Sequence, residues 1–199
     1  MTRRNHVIGS AARTRNRVIL LAATITLVMP VFAAGPFALT SADVKHKGVI
    51  GNEQVYNGFG CTGANVSPSV AWTNVPAGTR SFAVTMYDPD APTGSGWWHW
   101  VVFNIPANVT SLAKGAGDPA SGKAPPGAMQ ARSDYGKPGY GGPCPPAGDR
   151  PHRYVVTVYA LKVDKLPGAD ENASPAMIGF MINANQIAKT SIHATYGRK

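Results

Sequence analysis

Hydrophobic and polar positions alternate along several short segments of the chain, the period of half-buried β-strands. Residues 81–87 put Phe82, Val84 and Met86 on one face. Residues 98–105, rich in aromatic and β-branched side chains, predict a second strand, in which His99 has the parity of Val101 and Phe103 and so shares their face. Residues 154–161 carry the strongest strand signal, and Val70-Ala71-Trp72 and the region around Val55-Tyr56 are weaker candidates. The period changes after Ser174-Pro175, an N-cap followed by proline at the first helical position. Apolar residues Ile178, Met181, Ile182, Ile187 and Ile192 then predict one helix ending near Gly197.

Two stretches fit neither period. Between Gly115 and Arg153 the chain is a succession of turn signals, among them Pro125-Pro126-Gly127 and Gly142-Pro143-Cys144-Pro145-Pro146. A loop that long implies a function or short elements inside it. At the other end, residues 18–34 are apolar apart from Thr24, Thr26 and Pro30, and follow Arg3, Arg4, Arg13, Arg15 and Arg17. A basic start, an apolar run and small residues at Ala33 and Ala34 form the pattern of a secretory signal peptide, with the mature domain beginning near residue 35. An uncleaved anchor is the competing reading, against which stand the short run and Pro30 near its end. Thr2-Arg3-Arg4 hints at twin-arginine export, although Arg4 lies far from the apolar run.

Composition sharpens this picture. With 199 residues the chain suits a single domain after the leader, 35–199. Its 22 Gly and 17 Pro favour a turn-rich, mainly β protein over a helical one. The net charge of +9 would suggest nucleic acid or membrane as a partner. Five of the 19 basic residues lie in the leader, however, leaving 14 against 10 acidic, a net of +4. Lys45, Lys47, Arg80, Lys114, Lys123 and Lys162 are dispersed rather than striped, so no nucleic-acid footprint and no stable membrane span is expected in the mature protein.

Candidate chemistry gathers in two places. Asp88-Pro89-Asp90-Ala91-Pro92 follows the first strand as a rigid turn that fixes two carboxylate directions; capping of backbone N–H groups accounts for it equally well. His99 lies inside the second strand, where a lone histidine is more often a satisfied core residue than a functional one. Gly142-Pro143-Cys144-Pro145-Pro146-Ala147-Gly148 leads into His152-Arg153-Tyr154, whose parity points His152 and Tyr154 the same way.

Together, Asp88-Pro89-Asp90-Ala91-Pro92, Trp98-His99-Trp100 and Gly142-Pro143 through His152-Arg153-Tyr154 resemble the phosphatidylethanolamine-binding protein family in its bacterial Raf-kinase-inhibitor-like (YbhB/YbcL-type) branch. Ser67-Pro68, Trp72, Val75-Pro76 and Tyr196-Gly197-Arg198 extend the resemblance from about Val49 to Arg198. It implies a β-sandwich of two antiparallel sheets with a C-terminal helix. It also implies a small pocket for an anion or phosphorylated head group, lined here by Asp88, Pro92, His99, Pro146, His152 and Tyr154. In such a site His99 and His152 would each donate to an oxyanion and Tyr154 would add a hydroxyl. Asp88 would orient one histidine and hold it protonated, or share a proton with the anion. The chain departs from the family at Asn183-Ala184-Asn185-Gln186, where many members carry a histidine near the pocket mouth.

Cys61 and Cys144 are the only cysteines, and export would take them to an oxidising compartment, so a Cys61–Cys144 bridge is expected. A catalytic Cys144 with His152 as base would need a free thiol. No G-x-S-x-G elbow is present, and Asp88, Asp90, His99 and His152 lack metal-ligand spacing. The expectation is therefore an exported, periplasmic or secreted, non-enzymatic binding protein without cofactor or metal. Inhibition of a kinase or hydrolase through the pocket rim is the alternative.

Overall fold

The alternating segments pair as antiparallel strands. The computed structural model describes residues 1–2 and 35–199, so the leader reading of residues 1–34 falls almost wholly outside the described residues. Along the chain come β1 (Ala38–Thr40), β2 (Asn57–Gly58), β3 (Cys61–Thr62), β4 (Val70–Thr73), β5 (Ser81–Asp88) and β6 (Trp97–Pro106). They are followed by β7 (Ser111–Leu112), a 3-10 turn (Pro119–Ser121), β8 (Met129–Gln130), β9 (His152–Leu161), α1 (Pro175–Asn185) and β10 (Gln186–Tyr196). A five-stranded sheet runs β10-β9-β5-β6-β8, a three-stranded sheet runs β1-β4-β7, and β2 and β3 form a short hairpin. Residues Ala34–Lys199 form one compact unit.

The fold is mainly β and antiparallel with one C-terminal helix, as the sequence leads one to expect. Phe82, Val84 and Met86 of β5 share a core with Trp100 and Val102 of β6, Val156 and Val158 of β9, and Leu39, Trp72 and Leu112 of the smaller sheet. On the other face of the large sheet, Ala83, Val101, Phe103 and Leu161 pack against Ile178 and Ile182 of α1 and Leu166. Central strands covered on both faces are buried nearly throughout, which explains the almost unbroken apolar run of β6.

The helix is shorter than its apolar spacing suggests. Ser174 caps it by accepting from the Met177 N–H, Pro175 sits in its first turn, and it stops at Asn185. Gln186, at the C-cap, is already extended, and the chain passes directly into β10, without a glycine turn. Residues 186–196 pair with β9 from Gln186 opposite Leu161 to Tyr196 opposite His152. Ile187 and Ile192 fit a helix by spacing, but Thr190, Ser191 and Thr195 suit a pleated edge, and only a strand satisfies the outer N–H and C=O groups of β9.

The long loop is anchored rather than loose. The Trp100 indole donates to Gln130 Oε1 at 2.8 Å, and the Gln130 amide donates to the Ala116 carbonyl at 3.0 Å. The Tyr140 hydroxyl donates to the Gln54 carbonyl at 2.8 Å. Gly142 passes so close to the turn before the β2–β3 hairpin, where the sequence suggests a weak strand around Val55-Tyr56, that a Cβ there would collide with the Gln54 carbonyl. Among the described residues, no helix is long and apolar enough to cross a membrane.

Candidate functional site

A break in strand pairing creates the centre of the site. Along β5 and β6, Met86 pairs with Trp100 but the next residue, Tyr87, pairs with Trp98, leaving His99 as an extra residue, a β-bulge. The bulge reverses the parity of everything before it. His99 therefore does not share a face with Val101 and Phe103, which pack beneath α1; its ring lies against Tyr154 on the opposite face, centroids 5.1 Å apart. The long loop clamps this residue from the backbone. His99 Nδ1–H donates to the Gly141 carbonyl at 2.6 Å, and the Gly141 N–H donates back to the His99 carbonyl at 2.8 Å.

Asp88 closes β5 and is 2% exposed, as is His152 at the start of β9. One Asp88 oxygen accepts from the Asp90 N–H at 2.8 Å and the other from His152 Nδ1–H at 2.8 Å. The turn-capping role and the site role therefore coexist in one carboxylate. Asp90 points elsewhere. It accepts from the backbone N–H and guanidinium of Arg153 at 2.8–2.9 Å and from Arg150 at 3.2 Å, and the Arg153 guanidinium holds its carboxyl well below the usual carboxylate range. That ion pair braces the rim without lining the cavity.

All six residues expected in the pocket, Asp88, Pro92, His99, Pro146, His152 and Tyr154, line one cavity of about 200 Å³. Phe59, Ala91, Thr93, Trp97, Tyr135, Cys144 and Pro145 complete its wall. Trp97 was accessible from its place beside His99, and Cys144 and Pro145 from the proline-rich motif. Phe59 and Tyr135 sit in turns whose local sequence carries no sign of the site. Tyr135 stacks on Tyr56 at 4.0 Å and meets Trp97 edge-on at 5.3 Å, so aromatic faces form most of one side. No residue of α1 reaches the cavity; the helix lies against the other face of the sheet.

Electrostatics refine the roles. Burial pushes the His99 imidazole down to about 4, opposed by its hydrogen bond to Gly141 and the charge of Asp88. At neutral pH the ring is uncharged, and with Nδ1 donating to Gly141 it turns a lone pair, not an N–H, outward at Nε2. In this state His99 presents an acceptor at Nε2, whereas the donor role implied by the resemblance requires the protonated ring. Burial raises Tyr154 and Tyr135 far above the ordinary phenol range, so both keep their protons. His99 Nε2, the Tyr154 hydroxyl and the Trp97 indole N–H are buried without a hydrogen-bond partner in the protein.

The loop end of the site is tied down twice. The sulfurs of Cys61 and Cys144 are at disulfide distance with Cα atoms 6.0 Å apart, as expected. Arg198 reaches from beyond β10 and donates to the carbonyls of Pro145 at 2.6 Å and Gly60 at 3.1 Å, joining the same two segments. No group of three or more metal-ligating side chains occurs among the described residues.

Known proteins resemble this chain in sequence and fold. The chain is 53% identical over 163 residues to the UPF0098 protein YbcL of Escherichia coli, covering 82% of this chain and 88% of that one. The UPF0098 protein YbhB of the same organism is 48% identical, over 79% of this chain and 98% of its own. The crystal structure of Escherichia coli YbcL superposes with a TM-score of 0.80, covering 82% of this chain and 99% of that chain. Residues 40–197 match the family model for phosphatidylethanolamine-binding protein, a span that takes in β4 through β10 and every wall of the cavity. The bulged His99, the Asp88–His152 pair and the disulfide-linked proline loop thus belong to a member of the phosphatidylethanolamine-binding protein family.

Proposed function

We propose that this protein is an exported, non-enzymatic binding protein that takes an oxyanion, phosphate or a phosphorylated head group, into the cavity between His99 and Tyr154. One observation carries the reading. Three polar groups, His99 Nε2, the Tyr154 hydroxyl and the Trp97 indole N–H, are buried without partners among residues lining one small cavity. Unsatisfied buried polar groups cost about 1–3 kcal/mol each. A polar ligand that satisfies them recovers that cost on binding. The volume lies below the range of about 300–1,000 Å³ typical of drug-sized ligands, in keeping with a head group.

Export is supported by the leader pattern and by a cysteine pair at bonding distance, which suits an oxidising compartment. A second reading, a rim that inserts into a kinase or hydrolase as an inhibitor, draws on Phe59, 69% exposed at the cavity mouth. Phosphorus NMR of the mature protein titrated with phosphate and phosphoethanolamine tests the first reading. Saturable shifts without a new resonance support it. No binding leaves the rim reading, and a new phosphorus signal would make the protein an enzyme.

A further inference from the structure

Three Asn-x-Ser/Thr triplets occur in the chain, Asn65-Val66-Ser67, Asn108-Val109-Thr110 and Asn172-Ala173-Ser174, none with proline in the middle. In an exported protein such a triplet is an acceptor for an N-linked glycan where its asparagine stands on an accessible loop. The fold separates the three. Asn65 is half-buried and engaged at both ends: its amide donates to the Tyr140 carbonyl at 3.3 Å, and its oxygen accepts from the Gly142 N–H at 2.8 Å. Asn108 is exposed but lies in the tight turn between β6 and β7, where the Val109 N–H closes back onto the Pro106 carbonyl at 3.0 Å. Asn172 is exposed on the connection from β9 to α1, and its backbone N–H, not its side chain, holds the turn, donating to Asp170 Oδ1 at 2.8 Å.

Two features single out this third triplet. Asp170 stands two residues before the acceptor, where the other triplets have Gly63 and Pro106, so only here does the loop offer a transferase a charge to grip. Beyond it, α1 is uncharged from Pro175 to Asn185, yet its solvent side is apolar at Ala176, Met177 and Phe180, the last 75% exposed. Met177 and Phe180, three residues apart, are neighbours on the helix surface. An apolar patch of this kind marks a surface that something covers. Phe180 lies about 9 Å along the helix axis from the cap Ser174, so a sugar chain rooted just before the cap is placed to cover it.

Resting on the export reading, we propose that Asn172 is an N-glycosylation site whose donor is an oligosaccharide carried on a lipid diphosphate. The Asn172 side-chain nitrogen attacks the anomeric carbon within an oligosaccharyltransferase of the compartment. A C–N bond forms as the C–O bond to the diphosphate breaks. The lipid diphosphate departs with the electron pair, and the amide gives up one proton to a base of the transferase. Ser174 serves both partners: its oxygen caps α1 by accepting from the Met177 N–H at 3.2 Å, while its hydroxyl proton is left for the transferase.

Intact-mass measurement of the full chain produced in its native host, with exported and retained material separated, tests the site. The exported protein should exceed the mass of the mature polypeptide by one oligosaccharide. Asn172→Gln should abolish the increment, and Asn108→Gln should leave it. Ser174→Asp keeps an N-cap but removes the hydroxyl, so it should lose the glycan with the urea midpoint of the polypeptide retained, whereas Ser174→Thr should keep both. An exported protein at the bare polypeptide mass, or a glycan that survives Asn172→Gln, overturns the inference and leaves the export reading standing. A protein retained with its leader attached sinks the export reading and this one with it.

Discussion

Acidification should destabilise the fold through His99 over a defined interval. An unfolded chain takes up a proton on an ordinary imidazole as the pH falls through about 6.5, whereas the native protein takes it up at His99 only near 4. Between those values the unfolded state binds more protons, so stability falls as the pH is lowered. The loss is about 1.4 kcal/mol per pH unit and about 3 kcal/mol over the whole interval. Urea unfolding followed by tryptophan fluorescence at pH 7, 6, 5 and 4 measures it, and the His99→Asn variant isolates it. Asparagine can keep a donor toward the Gly141 carbonyl but cannot titrate, so its pH profile should lack this component whatever its absolute stability. Carboxylates contribute acid sensitivity to both proteins and cancel in the comparison. Equal slopes for the two proteins between pH 6.5 and 4, or an NMR titration of the His99 ring near 6.5, would refute the reasoning.

Other substitutions probe the elements around the pocket. Asp88→Ala removes the partner of the buried His152 and the acceptor of the Asp90 N–H, and should lower stability by about 2–4 kcal/mol in urea unfolding. Replacing both Cys61 and Cys144 by serine releases a loop of 83 residues and should cost about 2–5 kcal/mol, seen as a lower urea midpoint; an unchanged midpoint would count against the bridge. On α1, Ile178→Ala should cost about 2–5 kcal/mol, because Ile178 is fully buried against the sheet. Phe180→Ala on the exposed face should stay within about 0.5 kcal/mol.

Where local pattern and tertiary pairing agree, the sequence is legible. In β9 the register against β5 is unbroken, so the parity argument that points His152 and Tyr154 the same way holds, and both reach the cavity. The run from Asp88 to Pro92 marks a strand end whose carboxylate direction is set locally, by the Asx turn onto the Asp90 N–H. In β6 the same reasoning fails, because a bulge is a property of two strands in register and not of either alone. Tyr135 and Phe59 join the site only because the long loop folds back, pinned through Asn65, Gly142 and the Cys61–Cys144 pair.

The amino-acid sequence by itself determines a mainly β domain, its central strands and the helix start at Ser174-Pro175, which depend on short-range chemistry: periodicity, capping and proline geometry. The six expected pocket residues come from the family resemblance of its motifs, and the cysteine pairing from there being two cysteines in the chain. Tertiary structure alone decides where α1 gives way to β10, since residues 186–196 become a strand only with the open edge of β9 beside them. It likewise decides that His99 crosses to the pocket face and that its tautomer is set by a carbonyl 42 residues away. The outward lone pair of His99 is therefore written in the fold, because hydrogen bonds between distant segments choose the proton's position after the chain has closed around it.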